Sequence, residues 1–305
     1  MLPVNKIALG TTKLGMPYGA VEQVQVSQAV TTGIFQKCQQ LGFDMYDTAP
    51  SYGVAEALIG ENLQGEYAPD LARVQHAPLK IITKIAKVQS VEISMDSINT
   101  VQSVFERSLA LMQCNSCYGL LIHDVKDLFK VNAEKLVDWM HEMKASGKVE
   151  KIGVSVYTPE EVERLLEVFD FDLVQLPCNI FDQRFIQSGV LATLAQKNIE
   201  IHARSLFLKG IILKPNAQAK LPSKLLAHNV EFHKFMNQQE LSAYDACLHF
   251  ANAQSLVDRW VIGVSSDKQL KQLCQGVNLL SENMMGIDYR QWAFADAAAL
   301  DPREW

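Results

Sequence analysis

Apolar residues along this chain gather in short runs without the strict alternation of a half-buried strand. KIALG (6–10), FDMYD (43–47), KIITK (80–84), YGLLIHD (118–124), KIGVSV (151–156), LVQLP (173–177), IEIHARS (199–205) and WVIGVS (260–265) are rich in β-branched residues. Between them apolar positions recur every three or four residues, which predicts helices over 26–41, 97–112, 132–146, 159–168, 186–196, 241–253 and 268–276. Strands alternating with helices and lacking a regular polar face describe a parallel sheet covered by helices. Eight such units in 305 residues fit a (β/α)8 TIM barrel better than an open doubly wound sheet, which has fewer strands and a Gly-rich first turn. LGTTKLG (9–15) lacks the G-x-G-x-x-G spacing of a dinucleotide fingerprint. No stretch has linker composition, so one barrel over 1–305 is expected, with the polar, proline-containing segment 214–230 as a loop.

Composition narrows the partner. A formal net charge of −6 with no long Lys/Arg run argues against nucleic-acid and anionic-membrane surfaces and leaves a small molecule. The beginning MLPVNKIALG lacks the basic and apolar regions of a signal peptide, and no run of about 18 apolar residues follows. A cytoplasmic protein is expected. The one C-x-x-C pair, CNSC at 114–117, has neither a second pair nor histidines at ligand spacing, so reduced thiols and no metal site are expected. No heptad pattern specifies an oligomeric state.

In a (β/α)8 barrel functional groups cluster where the strands end. The residues closing the runs are Asp47, with Tyr52 on the loop after it, then Lys84, His123, Ser155 and Gln175. A phenol in water titrates at a pKa of about 10. A lysine cation beside it stabilises the phenolate, and an aspartate beside the lysine holds that cation in place. Asp47 and Tyr52 are spaced so that both reach Lys84 across one mouth, which would make Tyr52 a tuned proton donor, with His123 placed to hydrogen-bond a substrate carbonyl. Each residue taken singly has a structural reading: Asp47 as a helix cap, Tyr52 as rim packing, Lys84 as a solvated strand end and His123 as a core histidine. Four on successive strand ends favour chemistry.

FDMYDTAPSYGVAEALIG (43–60) resembles the D-T-A-x-x-Y-G-x-x-E-x-x-(L/I)-G signature of the aldo-keto reductase family. IITK, LLIHD, KIGVSVYTPEE, LVQLPCNIFDQR and VIGVSSDKQL are similar to its later blocks in order, from about Ile7 to Leu273. The resemblance implies NADPH, with NADH as the alternative, and reduction of an aldehyde, ketone or sugar carbonyl, or the reverse oxidation. It implies Tyr52 as proton donor, Lys84 and Asp47 as activators, and His123 as the residue orienting the carbonyl. Cofactor contacts are implied at Thr11, Thr12, Asp47, Ser155, Gln175, Arg204, Ser205, Gly263, Ser265, Gln269 and Gln272.

Three departures stand out. Val156 replaces the Asn or Arg common after the strand-five serine. Arg204 replaces the aromatic that stacks on nicotinamide, so a cationic oxidised ring is expected to bind less well than the neutral reduced ring. Gly263 and Gln269 stand where many members place the Lys or Arg that grips an adenosine 2′-phosphate, with Gln272 and Leu273 where Glu and Asn are common. LGMPYGA (14–20) and ALDPREW (299–305) resemble a bacterial branch associated with carbohydrate and surface-polysaccharide proteins, and strand one begins too early for an N-terminal hairpin. Arg303 and Trp305 are expected to pack at the surface rather than touch substrate. The competing readings are a cofactor-binding regulatory or sensor subunit of the same fold and a lyase that uses Lys84 as a Schiff-base nucleophile.

Overall fold

The computed structural model describes residues 3–20, 26–64, 79–215, 221–276 and 287–301. Eight strands pair in parallel and in chain order into a closed barrel. They are β1 (Ile7–Gly10), β2 (Met45–Asp47), β3 (Lys80–Ile85), β4 (Cys117–Ile122), β5 (Val149–Ser155), β6 (Leu173–Pro177), β7 (Glu200–Arg204) and β8 (Arg259–Ile262). The ring closes where Ala8 registers with Val261. All eight runs seen in the sequence are strands, and Val4–Lys6 forms a short 3-10 turn leading into β1.

The helices follow from local chemistry. The longest, α4 (Met95–Leu111), starts at a reciprocal cap between Ser94 and Ser97 and buries Ile98, Val101, Phe105 and Leu109 against the sheet, a helical spacing. In α6 (Pro159–Leu165), Thr158 and Glu161 cap reciprocally and Pro159 occupies the first turn, where no N–H is needed. The remaining helices are α1 (Thr12–Gly15), α2 (Gln28–Gln40), α3 (Ala55–Ile59), α5 (Glu134–Ala145), α7 (Arg184–Gln187), α8 (Val190–Gln196), α9 (Ser223–Gln238), α10 (Ala243–Ala253) and α11 (Asp267–Gly276).

Two sequence expectations change. The helix read over 186–196 is two, α7 and α8, because Gly189 adopts φ +78 between them. The segment 214–230 is not all loop: α9 begins at Ser223, and Leu225, Asn229, Phe232 and Met236 form its buried face. Its polar outer surface masked that stripe. Residues 216–220, and Arg303 and Trp305, lie outside the described residues.

Apolar packing has two layers. The large outer core fills the space between strands and helices, whereas Ala8, Met45, Ile82, Tyr118, Leu121 and Leu173, with Val261 against them, fill the barrel interior. Below that plug lies a polar floor. Glu200 accepts from Tyr118 Oη at 2.6 Å, pairs with the Lys151 ammonium and meets His202 Nε2 at 2.7 Å. Arg259 grips Asp44 through two bonds of 2.7 and 2.9 Å. Burial alone would raise the Glu200 pKa, but the hydrogen bonds from His202, Lys151 and Tyr118 outweigh it and hold the carboxyl below its ordinary range.

A folded-state pKa below the unfolded one adds stability above the unfolded value, and that stability is lost as pH falls. Glu200→Gln should therefore cost about 2 kcal/mol at pH 7, as for a hydrogen bond to a charged group. The gap from the unsubstituted protein should narrow progressively below about pH 4, the unfolded glutamate range. Urea unfolding of both proteins at pH 7 and pH 3 measures it.

Candidate active site

Strand periodicity builds the mouth of the barrel. Side chains two apart on a strand share a face, so moving two residues up from the interior plug at Ala8, Met45, Ile82, Leu121, Leu173 and Val261 gives Gly10, Asp47, Lys84, His123, Gln175 and Gly263. The same step from Gly153 and His202 gives Ser155 and Arg204. Polar residues thus replace apolar ones on the inward face just where the strands end. All of these except Lys84 line a cavity of about 400 Å3.

At its base Lys84 Nζ donates to Asp47 Oδ1 at 2.9 Å, to Asp47 Oδ2 at 3.0 Å and to the Thr48 carbonyl at 2.8 Å. Gln175 Nε2 donates to Asp47 Oδ2 at 2.7 Å. Lys84 and Asp47 are almost fully buried. Burial works against the Lys84 ammonium, but Asp47 and the Tyr52 phenol outweigh it, so the lysine pKa lies above its ordinary value. The ammonium sits 4.9 Å from the Tyr52 ring centre. His123 meets the Tyr52 ring edge to face, with centres 5.9 Å apart. Burial, then the Lys84 and Arg204 cations, bring its pKa down to about 4 despite Asp47, leaving a neutral imidazole at pH 7.

The turn carrying Tyr52 is held by close backbone contact. Gly53 has φ +61, and a Cβ there would lie 2.3 Å from the Gly15 carbonyl oxygen. A Cβ on Gly15 would lie 2.0 Å from the Tyr52 carbonyl oxygen. The Val54 N–H donates to the Gly15 carbonyl at 3.2 Å. Just beyond, Glu56 is buried on α3 and accepts from Thr83 Oγ1 at 2.6 Å, tying α3 to the residue before Lys84. Burial raises the Glu56 pKa, against the Thr83 and Ser108 hydrogen bonds and Lys84.

The cavity walls include Thr12, Asp47, Tyr52, His123, Ser155, Gln175, Arg204, Ser205, Gly263, Gln269 and Gln272. Other expected residues sit apart from it. Lys84 lies beneath Asp47. Thr11 is fully buried, and its hydroxyl donates to the Asp47 carbonyl at 2.9 Å, so it anchors β2 instead of lining the cavity. Ser265 lies outside the lining, its N–H and hydroxyl both donating to Gln269 Oε1 at 2.9 and 3.0 Å. Arg204 lines the cavity, where its Nη2 donates to the Val156 carbonyl at 3.1 Å and its guanidinium lies 4.2 Å from the Tyr157 ring centre. Sequence reasoning about the site passed over Lys13, Tyr18, Tyr157, Phe207, Lys209 and Tyr244, all cavity-lining. Tyr18 and Tyr157 stood inside motifs already singled out, whereas Phe207 and Tyr244 meet only through the fold, stacked at 5.2 Å.

The residues present fit a dinucleotide. Gly10, closing β1, and Gly263, just after the adjacent β8, leave the mouth without side chains there, and the lining continues to Gln269 and Gln272 on α11. A Cβ at Gly10 would crowd Val261 at 3.2 Å. Ser155, Gln175 and Ser205 would hold a nicotinamide at the other end.

A parallel barrel of this kind gathers its functional groups at the C-terminal ends of its strands. Matched by the family model for the Aldo/keto reductase family over residues 6–288, the chain belongs to that family. It is 23% identical over 189 residues to the aldo-keto reductase YhdN of Bacillus subtilis, a match covering 61% of this chain and 54% of that relative. In fold it is similar to aldo-keto reductase AKR11C1 from Bacillus halodurans, with a TM-score of 0.72 and 16% identity over 98% of this chain and 95% of that one. PA4992 of Pseudomonas aeruginosa, assigned to the aldo-keto reductases, gives a TM-score of 0.62 and 18% identity over 89% of each chain. Among the described residues no helix is long and apolar enough to cross a membrane, and no cluster of three or more His, Cys, Asp and Glu is placed to hold a metal.

Gly15→Ala should push the Tyr52 turn off Lys84 and lower turnover by about 10²-fold, the cost of roughly 1 Å of misplacement. Cofactor affinity should change much less. Steady-state kinetics with a fluorescence titration of the same variant separates the two.

Proposed function

We propose that this protein is an NADPH-dependent carbonyl oxidoreductase in which Tyr52 exchanges a proton with the substrate oxygen. The observation carrying this reading is the buried Lys84–Asp47 pair beneath Tyr52, with neutral His123 beside it. A bound reduced nicotinamide supplies the hydride. Ser155, Gln175 and Ser205 would orient its ring, and the opening between Gly10 and Gly263 would carry the rest of the dinucleotide toward Gln269 and Gln272.

The protein's own groups do the acid–base work. The carbonyl oxygen lies between the Tyr52 hydroxyl and a His123 ring N–H. As negative charge grows on that oxygen, both donate to it, and Tyr52 yields its proton. Lys84 stabilises the phenolate left behind, while Asp47 keeps the ammonium charged and oriented. In the oxidation direction the Tyr52 phenolate accepts the alcohol proton. The same pairing opposes a Schiff-base role, because a lysine with a raised pKa has no free amine to attack.

A sugar carbonyl and a cytoplasmic setting remain parts of this proposal. NADPH rests on the family; of the lysines on α11, Lys271 is paired with Asp267 at 2.6 Å and Lys268 is exposed.

Tyr52→Phe should lower kcat for carbonyl reduction by about 10²-fold or more, the contribution of a positioned general acid, while leaving NADPH binding in place. A regulatory subunit would show binding and no turnover to lose. Arg204 generates a second expectation: its cationic face should make NADPH bind about fivefold tighter than NADP+, a gap that closes in Arg204→Tyr. Paired fluorescence titrations measure it, and equal affinities in both proteins would refute the expectation.

A further inference from the structure

We infer that the substrate carries an anionic group, a carboxylate in the simplest case, which the Arg204 guanidinium holds while the reacting carbonyl lies between Tyr52 and His123. This names a substrate class for the oxidoreductase reading above and rests on it.

Arg204 closes β7 on the inward face, and its side chain leans across β6 to the end of β5. There it meets the Val156 carbonyl at 3.1 Å and the Tyr157 ring at 4.2 Å. A carbonyl dipole and a ring face hold a guanidinium in position without neutralising it. Its remaining contact, Nη1 to Ser205 Oγ at 3.5 Å, is at the limit of a hydrogen bond. Arg204 is only partly exposed, and no carboxylate pairs with it among the described residues. Of its five N–H donors most remain for a ligand.

The surrounding wall has little negative charge to offer. Asp47, the acidic side chain of the described lining, has Lys84 on both oxygens and Gln175 on one of them, so it offers little to a substrate hydroxyl. The other ionisable groups around Arg204 are the phenols of Tyr18, Tyr52 and Tyr157, the His123 ring and the Lys209 ammonium, which lies 5.6 Å from the Tyr18 ring centre. Burial and then the neighbouring Tyr52 raise the Tyr18 pKa to about 12, so this phenol remains a donor at pH 7. Burial, followed by the charge of Arg204, lowers the Lys209 pKa against the opposing charge of Asp301. The phenols and the neutral His123 ring can accept from a hydroxyl as well as donate, whereas the Arg204 guanidinium can only donate. An oxyanion would satisfy the remaining Arg204 donors and offset its charge.

The anion could come from the substrate or from the dinucleotide phosphates, and direction separates them. The Gly10–Gly263 opening leads to α11, whereas Arg204 reaches the opposite way, to Val156 and Tyr157 at the end of β5. The anion also differs from the carbonyl oxygen, which Tyr52 and His123 take.

The test compares 4-formylbenzoate with its methyl ester, aldehydes that differ in charge, using the full chain and NADPH. The acid should have a kcat/KM about tenfold or more above the ester, and Arg204→Gln should bring the ratio to within about twofold of unity, as expected for a site built around a charged group. In parallel, terephthalate, which cannot be reduced, is titrated calorimetrically into the NADPH-saturated protein. It should bind, and about tenfold more weakly to Arg204→Gln, whereas dimethyl terephthalate should show no such dependence. Equal acid and ester rates in the unsubstituted protein would overturn the inference. So would an Arg204→Gln variant that loses NADPH affinity while the acid-to-ester ratio stands, since the guanidinium would then serve the cofactor phosphates. Terephthalate binding that depends on Arg204, without turnover of either aldehyde, would remove the oxidoreductase reading and still support the anion site.

Discussion

The mouth of this barrel depends on one buried ion pair. Lys84 and Asp47 project from β3 and β2 into a space with little water, where an uncompensated charge would cost several kcal/mol. Their pairing is tolerable because the remaining hydrogen-bonding capacity is used: the Thr48 carbonyl takes a third proton of Lys84, and Gln175 reaches from β6 to Asp47. The pair therefore joins strands from different parts of the ring and cannot be altered on one side alone. Removing either charge would strand the other and release Gln175 together with the underside of Tyr52.

Around that pair, glycine does two different jobs. At Gly15 and Gly53 the missing side chain lets two backbone segments approach closely enough to fix the height of the Tyr52 turn. At Gly10 and Gly263 it leaves room in the ring for something flat and long to enter. Rigidity at the proton donor and openness on the cofactor side thus arise from the same residue type, distinguished by what lies opposite the absent Cβ.

Much of this could be read before the fold was seen. Eight strand runs were legible because a parallel barrel buries both faces of its strands. Asp47, Lys84, His123, Ser155 and Gln175 were legible because each closes one of those runs. What escaped depended on packing between distant segments. Helix α9 has an apolar stripe of Leu225, Phe232 and Met236 broken by the buried amide of Asn229, whose Nδ2 donates to the Ile211 and Lys214 carbonyls at 3.2 and 2.8 Å. A polar residue satisfied by a neighbouring turn looks like a surface residue in one dimension. Thr11, where the resemblance implies a cofactor contact, directs its hydroxyl to the Asp47 carbonyl, a partner that spacing along the chain does not reveal. The Phe207–Tyr244 stack joins a loop to α10, and spacing along the chain carries no trace of it.

The polar floor has a consequence for how such a protein can change. Glu200, Tyr118, Lys151 and His202 secure the lower end of the barrel, and the apolar plug separates them from the mouth. His202 and Arg204 are only two residues apart, yet the first belongs to the foundation and the second to the cavity wall. Residues of the wall can therefore be exchanged with little penalty to the floor beneath them. That modularity lets one scaffold drift between ligands while its fold is retained, with the lower network acting as a reserve against the instability that new chemistry usually brings.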